Sequence, residues 1–146
     1  MEEGETPRTT AVRETCEELG IETKDIEVFG ELNRIRAYSN FTMYAFLGSI
    51  DYDVIQEAQF NRAEVKEIFF VPLDFFLNSD PFIYECDVIP DIKSDFPYEK
   101  IRFKDGYNWR KGKTVIPIYE YKDRVIWGLT ARVTLSLVEE LRAFLG

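Results

Sequence analysis

Residues 13–19 read Arg-Glu-Thr-Cys-Glu-Glu-Leu, inside a segment marked at both ends, by Thr6-Pro7 in front and Gly20 behind. Threonine caps a helix by accepting an orphan backbone N–H, proline suits the first helical position, and glycine suits the left-handed stop. The pattern therefore predicts a helix over Pro7 to Leu19. Glu14, Glu17 and Glu18 fall at i, i+3 and i+4, so three carboxylates share one helical face. Left alone they repel by roughly some tenths of a kcal/mol per pair. A divalent cation reverses the sign of that interaction and can also take phosphate oxygens as ligands. The plainer reading is a solvated acidic face, a common property of surface helices.

The rest of the composition decides which chemistry is open to this helix. The chain has no histidine, which removes Ser-His-Asp and Cys-His nucleophilic machinery and the usual zinc ligand sets. With 27 acidic residues, oxygen ligation of Mg²⁺ or Mn²⁺ is the natural inference. A net charge of −9 argues against nucleic acid or an anionic membrane as partner, because that field repels polyphosphate unless a local basic patch overrides it. The longest apolar run, Ile68 to Leu77, is broken by Pro72 and Asp74 and is too short to span a bilayer. The first residues have neither a basic start nor an apolar stretch, and Cys16 and Cys86 form no framework, so a cytoplasmic protein with reduced thiols is expected. A length of 146 residues at 45% hydrophobic content fits one domain, 1–146.

Further along, Ile26 to Ile35 reads as a strand, and Phe41 to Ile50, apolar at both parities, as a strand covered on both faces at the centre of a sheet. Val65 to Pro72 is another strand candidate and Leu73 to Leu77 a short helical turn before the loop Asn78-Ser79-Asp80-Pro81. Lys100, Arg102 and Lys104 alternate with Ile101 and Phe103 ahead of Asp105-Gly106, which predicts a hairpin with a basic face. Thr114 to Tyr121 and Arg124 to Trp127 form a second candidate pair around Lys122-Asp123, with Pro117 implying an edge or a bulge. From about 129 to 145 the period becomes helical, with Leu137, Val138, Leu141, Phe144 and Leu145 on one stripe.

The run Arg13-Glu14-Thr15-Cys16-Glu17-Glu18-Leu19-Gly20-Ile21, with Glu5 eight residues before Arg13, resembles the box of the Nudix hydrolase superfamily, here at 5–21, with Thr15 the one soft position. The resemblance implies an α/β (α+β) fold, an α/β/α sandwich around a mixed β-sheet. It also implies metal ligation by Glu14, Glu17 and Glu18, with Arg13 orienting the glutamates and Glu5 bracing the loop through Arg13. The family's box opens with a glycine six residues before the position of Glu5, which falls ahead of Met1. Relatives also carry sheet strands before the box. The expectation is thus of an N-terminally truncated domain lacking those strands: either a fragment, or a chain whose sheet a partner completes, for which a homodimer is the candidate.

Two later blocks are similar to the coenzyme A pyrophosphatase branch: Glu64 to Leu73 with Phe75-Phe76-Leu77, and Tyr119-Glu120-Tyr121 with Val125 to Arg132. That likeness implies Mg²⁺-dependent hydrolysis of the pyrophosphate of coenzyme A or its thioesters. Another nucleoside diphosphate derivative, such as ADP-ribose or a dinucleotide, stays open as substrate, as does a catalytically inactive fold acting as a binding module. Glu67, with Glu64, is a candidate general base or extra ligand from outside the box, against the plainer reading of a solvated strand end. Arg102, Lys104 and Trp109 could meet a phosphate and an adenine, against a solvated hairpin face; Trp127 is a ligand contact or, more simply, a core aromatic beside a close-packed Gly128.

Overall fold

Helix α1 spans Pro7–Leu19, with both ends where the capping signals put them. The front is closed reciprocally: Thr9 N donates to Thr6 Oγ1 (3.2 Å) and Thr6 N donates to Thr9 Oγ1 (2.9 Å). The back closes at Gly20, in the left-handed conformation at φ 68°, where its N–H donates to the Cys16 carbonyl (2.8 Å). Thr15 in the apolar slot of the box is tolerated because its hydroxyl donates to the Ala11 carbonyl at 2.8 Å.

The computed structural model describes residues 2–36 and 41–146. These fall into two units, Met1–Ser79 with Arg132–Gly146, and Asp80–Ala131. In the first, α1 leads through a single 3₁₀ turn into β1 (Ile26–Glu31), then β2 (Ile35–Arg36), β3 (Thr42–Met43), β4 (Phe46–Ile50), α2 (Tyr52–Glu57) and α3 (Leu73–Asn78). In the second, β5 (Phe82–Val88), β6 (Gly112–Tyr121) and β7 (Arg124–Trp127) form one sheet, and α4 (Gly128–Leu145) carries the chain back to the first unit. The expected mixture of helix and sheet is present, and the ladders among the described residues are all antiparallel.

The first unit corrects two strand expectations. Ile26 to Ile35 is interrupted after Glu31, and Phe41 to Ile50 is broken at Tyr44-Ala45, so β4 ladders with β1 alone and is half-buried rather than central. The bulge between Val28 and Gly30 re-registers this ladder. Val65 to Pro72 forms no strand. An Asn61 turn starts that stretch instead: Val65 N donates to the Asn61 carbonyl (2.8 Å) and Ala63 N to Asn61 Oδ1 (3.1 Å). Among the described residues no strand lies alongside to supply the ladder bonds an extended segment needs. Phe70 packs on Tyr52, with ring centroids 5.1 Å apart.

Arg142, in the helical run of α4, ties the ends of this unit together. Its Nε donates to the Leu77 carbonyl (3.0 Å) and its terminal nitrogen to the carbonyls of Phe76 (3.1 Å) and Ser79 (3.1 Å). Those are the orphan carbonyls at the end of α3, which no following residue of that helix can satisfy. Asn33 donates to the Glu140 carboxylate and attaches α4 to the β1–β2 connection. The buried stripe of α4 runs through Val138; Phe144, expected on it, is 87% exposed.

In the second unit, the β6–β7 hairpin forms as expected, turning at Lys122, whose φ is 55°. The strand β5 carries no earlier expectation; it pairs along the full length of Phe82 to Val88 with Gly112 to Ile118. Pro117 sits in the middle strand, yet the β7 register ends at Ile118, so one flank of Pro117 is open as at an edge. The hairpin expected around Asp105-Gly106 is absent. Gly106 does turn at φ 94°, but Lys100 to Lys104 form successive tight turns, with Arg102 itself left-handed at φ 62°. Local aromatic packing takes precedence over a ladder there: Phe96 on Tyr98 and Trp109, and Tyr107 on Trp109 and Phe103, with centroids 4.9–5.4 Å apart.

Candidate active site

One helical face of α1 and the loop before it carry the acidic cluster, and Arg13 is its hub. The guanidinium donates through Nε to Glu5 Oε1 (2.8 Å), through one terminal nitrogen to Glu17 Oε2 (2.9 Å), and through the other to Glu14 Oε1 (2.7 Å) and Glu5 Oε2 (3.3 Å). Five rigid donors in one plane make such multidentate contact specific to arginine. The Glu5–Arg13 pair is the sheltered part, with side chains 17% and 27% exposed, whereas Glu14 and Glu17 are about half exposed, at 48% and 55%. Glu18 is exposed, and its backbone carbonyl receives the Asn61 N–H at 2.9 Å.

Glu5 is held as an ion. Arg13 first, then the Glu2 N–H and the Thr10 hydroxyl, hold its carboxyl at about 2 against an ordinary 4.5, outweighing the desolvation that opposes them. In turn Glu5, Glu14 and Glu17 push the Arg13 guanidinium further up, so it is charged at any working pH. Because the folded value lies below the unfolded one, this network stabilises the fold fully above about pH 4.5 and the contribution disappears as pH falls through about 2. Glu5→Gln is therefore expected to melt below the unsubstituted chain at pH 6, with the gap closing steadily between about pH 4.5 and pH 2. Thermal melts across that range check it, and a gap that is flat with pH refutes it.

The cluster is unbalanced. Glu5, Glu14, Glu17 and Glu18 set four carboxylates against the one guanidinium of Arg13. Among the described residues no three acidic or cysteine side chains converge closely enough to grip one ion. The reason lies in the geometry above, since the cation that Glu14 and Glu17 face is Arg13. The donor set nonetheless suits a hard divalent ion: it is all oxygen, on consecutive turns of one helix, and half open to solvent.

The wall of Glu5 and Arg13 also lines a cleft of about 470 Å³, shared with Arg8, Thr9 and Thr23 and floored by Val12, Ile26 and Val28. That size is ordinary for a small-molecule site. Arg8, for which the sequence carried no expectation, adds a positive charge at this cleft. Its only signal was its place two residues after the helix cap, where a cation is unfavourable against the helix dipole and so stands out.

The other expected site residues lie elsewhere. Glu67 is exposed in the irregular stretch before α3, in the same unit as the cluster. Arg102, Lys104, Trp109 and Trp127 belong to the second unit. Trp127 is 65% exposed at the end of β7, so it is not a core aromatic. Gly128, with nothing within 4 Å of an added Cβ, serves a left-handed turn at φ 66° rather than close packing. Trp109 is half-buried and gives its indole N–H to Tyr98 Oη at 3.4 Å.

The NUDIX domain profile matches residues 1–85, and the chain belongs to that family. Among individual proteins, it is 35% identical over 142 residues to the peroxisomal coenzyme A diphosphatase NUDT7 of Mus musculus, an alignment covering 92% of this chain and 52% of the relative. It is 37% identical over 76 residues to Nudix hydrolase 3 of Caenorhabditis elegans, covering 51% of this chain and 32% of that one. An uncharacterised Nudix hydrolase, NudL, of Photorhabdus laumondii is 25% identical over 133 residues, 91% of this chain and 59% of the relative. The chain thus spans from about a third to three fifths of the length of these relatives. No helix among the described residues is long and apolar enough to cross a membrane.

Proposed function

We propose that this chain carries the catalytic helix of a pyrophosphohydrolase acting on coenzyme A or its thioesters, with Mg²⁺ or Mn²⁺ as cofactor. The carrying observation is the Glu5–Arg13–Glu14/Glu17 network, which fixes an oxygen-only acidic face beside a cleft of small-molecule size. The likeness to a coenzyme A diphosphatase across 92% of this chain supports the choice of substrate over other nucleoside diphosphate derivatives.

Glu14, Glu17 and Glu18 would hold the ion. When bound, it would neutralise charge on the pyrophosphate and lower the pKa of a water. Arg13 is a positioning residue. It holds Glu14 and Glu17 to the same side of the helix, while Glu5, held by Arg13, Thr10 and the Glu2 N–H, fixes the guanidinium from behind. Glu67 is the proposed base from outside the helix. It is an exposed carboxylate in the same unit as the acidic helix.

The reading is tested by incubating the chain with coenzyme A and Mg²⁺ and analysing products by mass spectrometry. We expect 3′,5′-ADP and 4′-phosphopantetheine, with no turnover when the metal is chelated. Turnover of ADP-ribose at a higher kcat/KM than coenzyme A transfers the assignment to that substrate, and no metal-dependent turnover of either refutes an enzyme.

A further inference from the structure

The stretch from Phe96 to Lys111 reverses the character of the rest of the molecule. In a chain of net charge −9, it sets five cations (Lys100, Arg102, Lys104, Arg110 and Lys111) against two acids (Glu99 and Asp105). Among the described residues none of these five cations has an ion pair or hydrogen-bonded side-chain partner, whereas the neighbouring Lys113 is tied to Glu85 at 2.6 Å. Residues 99–108 are all exposed, and between the cations three apolar side chains, Ile101, Phe103 and Tyr107, are 40–48% exposed.

This is a built surface, not a loose loop. Phe103 N donates to the Tyr98 carbonyl (3.0 Å), Arg102 N to that of Glu99 (3.1 Å) and Gly106 N to that of Phe103 (3.0 Å). Phe96 packs edge to face on both Tyr98 and Trp109. Trp109, expected to stack on adenine, is engaged in that platform. Arg102 and Lys104 lie exposed on the turns between Tyr98 and Trp109.

We propose that residues 96–111 form a docking surface for an anionic lipid membrane, which the protein meets peripherally. The partner must supply negative charge and hydrocarbon within the same few ångströms, because unpaired cations alternate with exposed Ile101 and Phe103. An anionic bilayer offers both at its interface: cations gain from the surface potential and each apolar group gains on entering the acyl boundary. An extended polynucleotide offers stacking and charge but nothing for an isoleucine. The net negative charge of the rest of the chain is repelled by the same surface, which confines attraction to this segment.

The test is flotation of the full chain with phosphatidylcholine vesicles containing about 30 mol% phosphatidylserine, or none, at low and high salt. We expect binding to the anionic vesicles only, weakened by salt. The triple charge reversal Lys100→Glu, Arg102→Glu, Lys104→Glu should lower the partition coefficient at least about tenfold, and Ile101→Ser with Phe103→Ser should lower it about tenfold at unchanged charge. Lys100, Arg102 and Lys104 are exposed, so circular dichroism melts of the charge-reversed variant should match the unsubstituted chain; Phe103 also packs on Tyr107, so flotation of the apolar variant is read well below its own melting temperature. Equal binding to neutral vesicles, no binding to anionic ones, or tighter binding of polyglutamate or polyuridylate than of vesicles overturns the proposal. So does a charge reversal that leaves flotation intact while raising KM for coenzyme A, which returns Arg102 and Lys104 to the substrate.

Discussion

Glu17→Gln and Glu18→Gln, each assayed with coenzyme A and Mg²⁺, will lower kcat by at least about a hundredfold. Substitutions in the shell outside a metal's ligands already cost 10–100-fold, and these residues are proposed as direct ligands. The two should differ in stability. Glu18 has no ion pair among the described residues and lies at i+4 from Glu14, so its neutralisation removes repulsion and leaves the melting temperature level or slightly higher. Glu17→Gln breaks the 2.9 Å contact with Arg13, but on a side chain 55% exposed that costs under about 1 kcal/mol. Activity will therefore collapse in both while the fold persists. Either variant retaining full metal-dependent turnover removes that glutamate from the site.

The largest stability effect is expected at Gly20. It combines φ 68° with a close approach: a Cβ built there meets the Gln59 carbonyl oxygen at 2.3 Å. Left-handed strain in a non-glycine residue costs on the order of 1–3 kcal/mol, and overpacking a similar amount. Gly20→Ala is thus expected to lose about 3 kcal/mol, or roughly 10 °C in melting temperature for a chain of this size. Gly4→Ala is the control. Gly4 has φ 88° but nothing within 4 Å, so it carries the strain without the collision and should lose only about half as much. Thermal melts that rank the two equally would show that the Gln59 contact carries no weight. The contact matters for the site because Gly20 ends the helix that presents Glu17 and Glu18.

What the sequence made legible followed from how local each signal is. The bounds of α1 could be read to the residue, since Thr6, Pro7 and Gly20 act through their own backbone. The Glu5–Arg13 contact was readable only through the family's spacing, because nothing local pairs residues eight apart across a helix start. The β6–β7 hairpin and the period of α4 were likewise visible. Elements whose existence depends on a distant neighbour were misread. Val65 to Pro72 has strand composition but no strand beside it, and Phe82 to Val88 became a strand only because Gly112 to Ile118 lies alongside. Lys100 to Lys104 has the alternation of a strand, but five aromatic rings within 14 residues found each other first. At the acidic helix, the three glutamates on one face could be read from their spacing, whereas the hold of Arg13 on them was readable only through the family resemblance.

The grip of Arg142 on the carbonyls of Phe76, Leu77 and Ser79 has a temporal side. On a ribosome, Asp80–Ala131 is complete as a continuous stretch before Arg142 has been translated, whereas the segment bearing the acidic helix must wait for it. Until then the end of α3 has only water for its carbonyls. The segment bearing the acidic helix therefore matures after Asp80–Ala131 although it is translated before it, and its nascent form is the one a chaperone would meet.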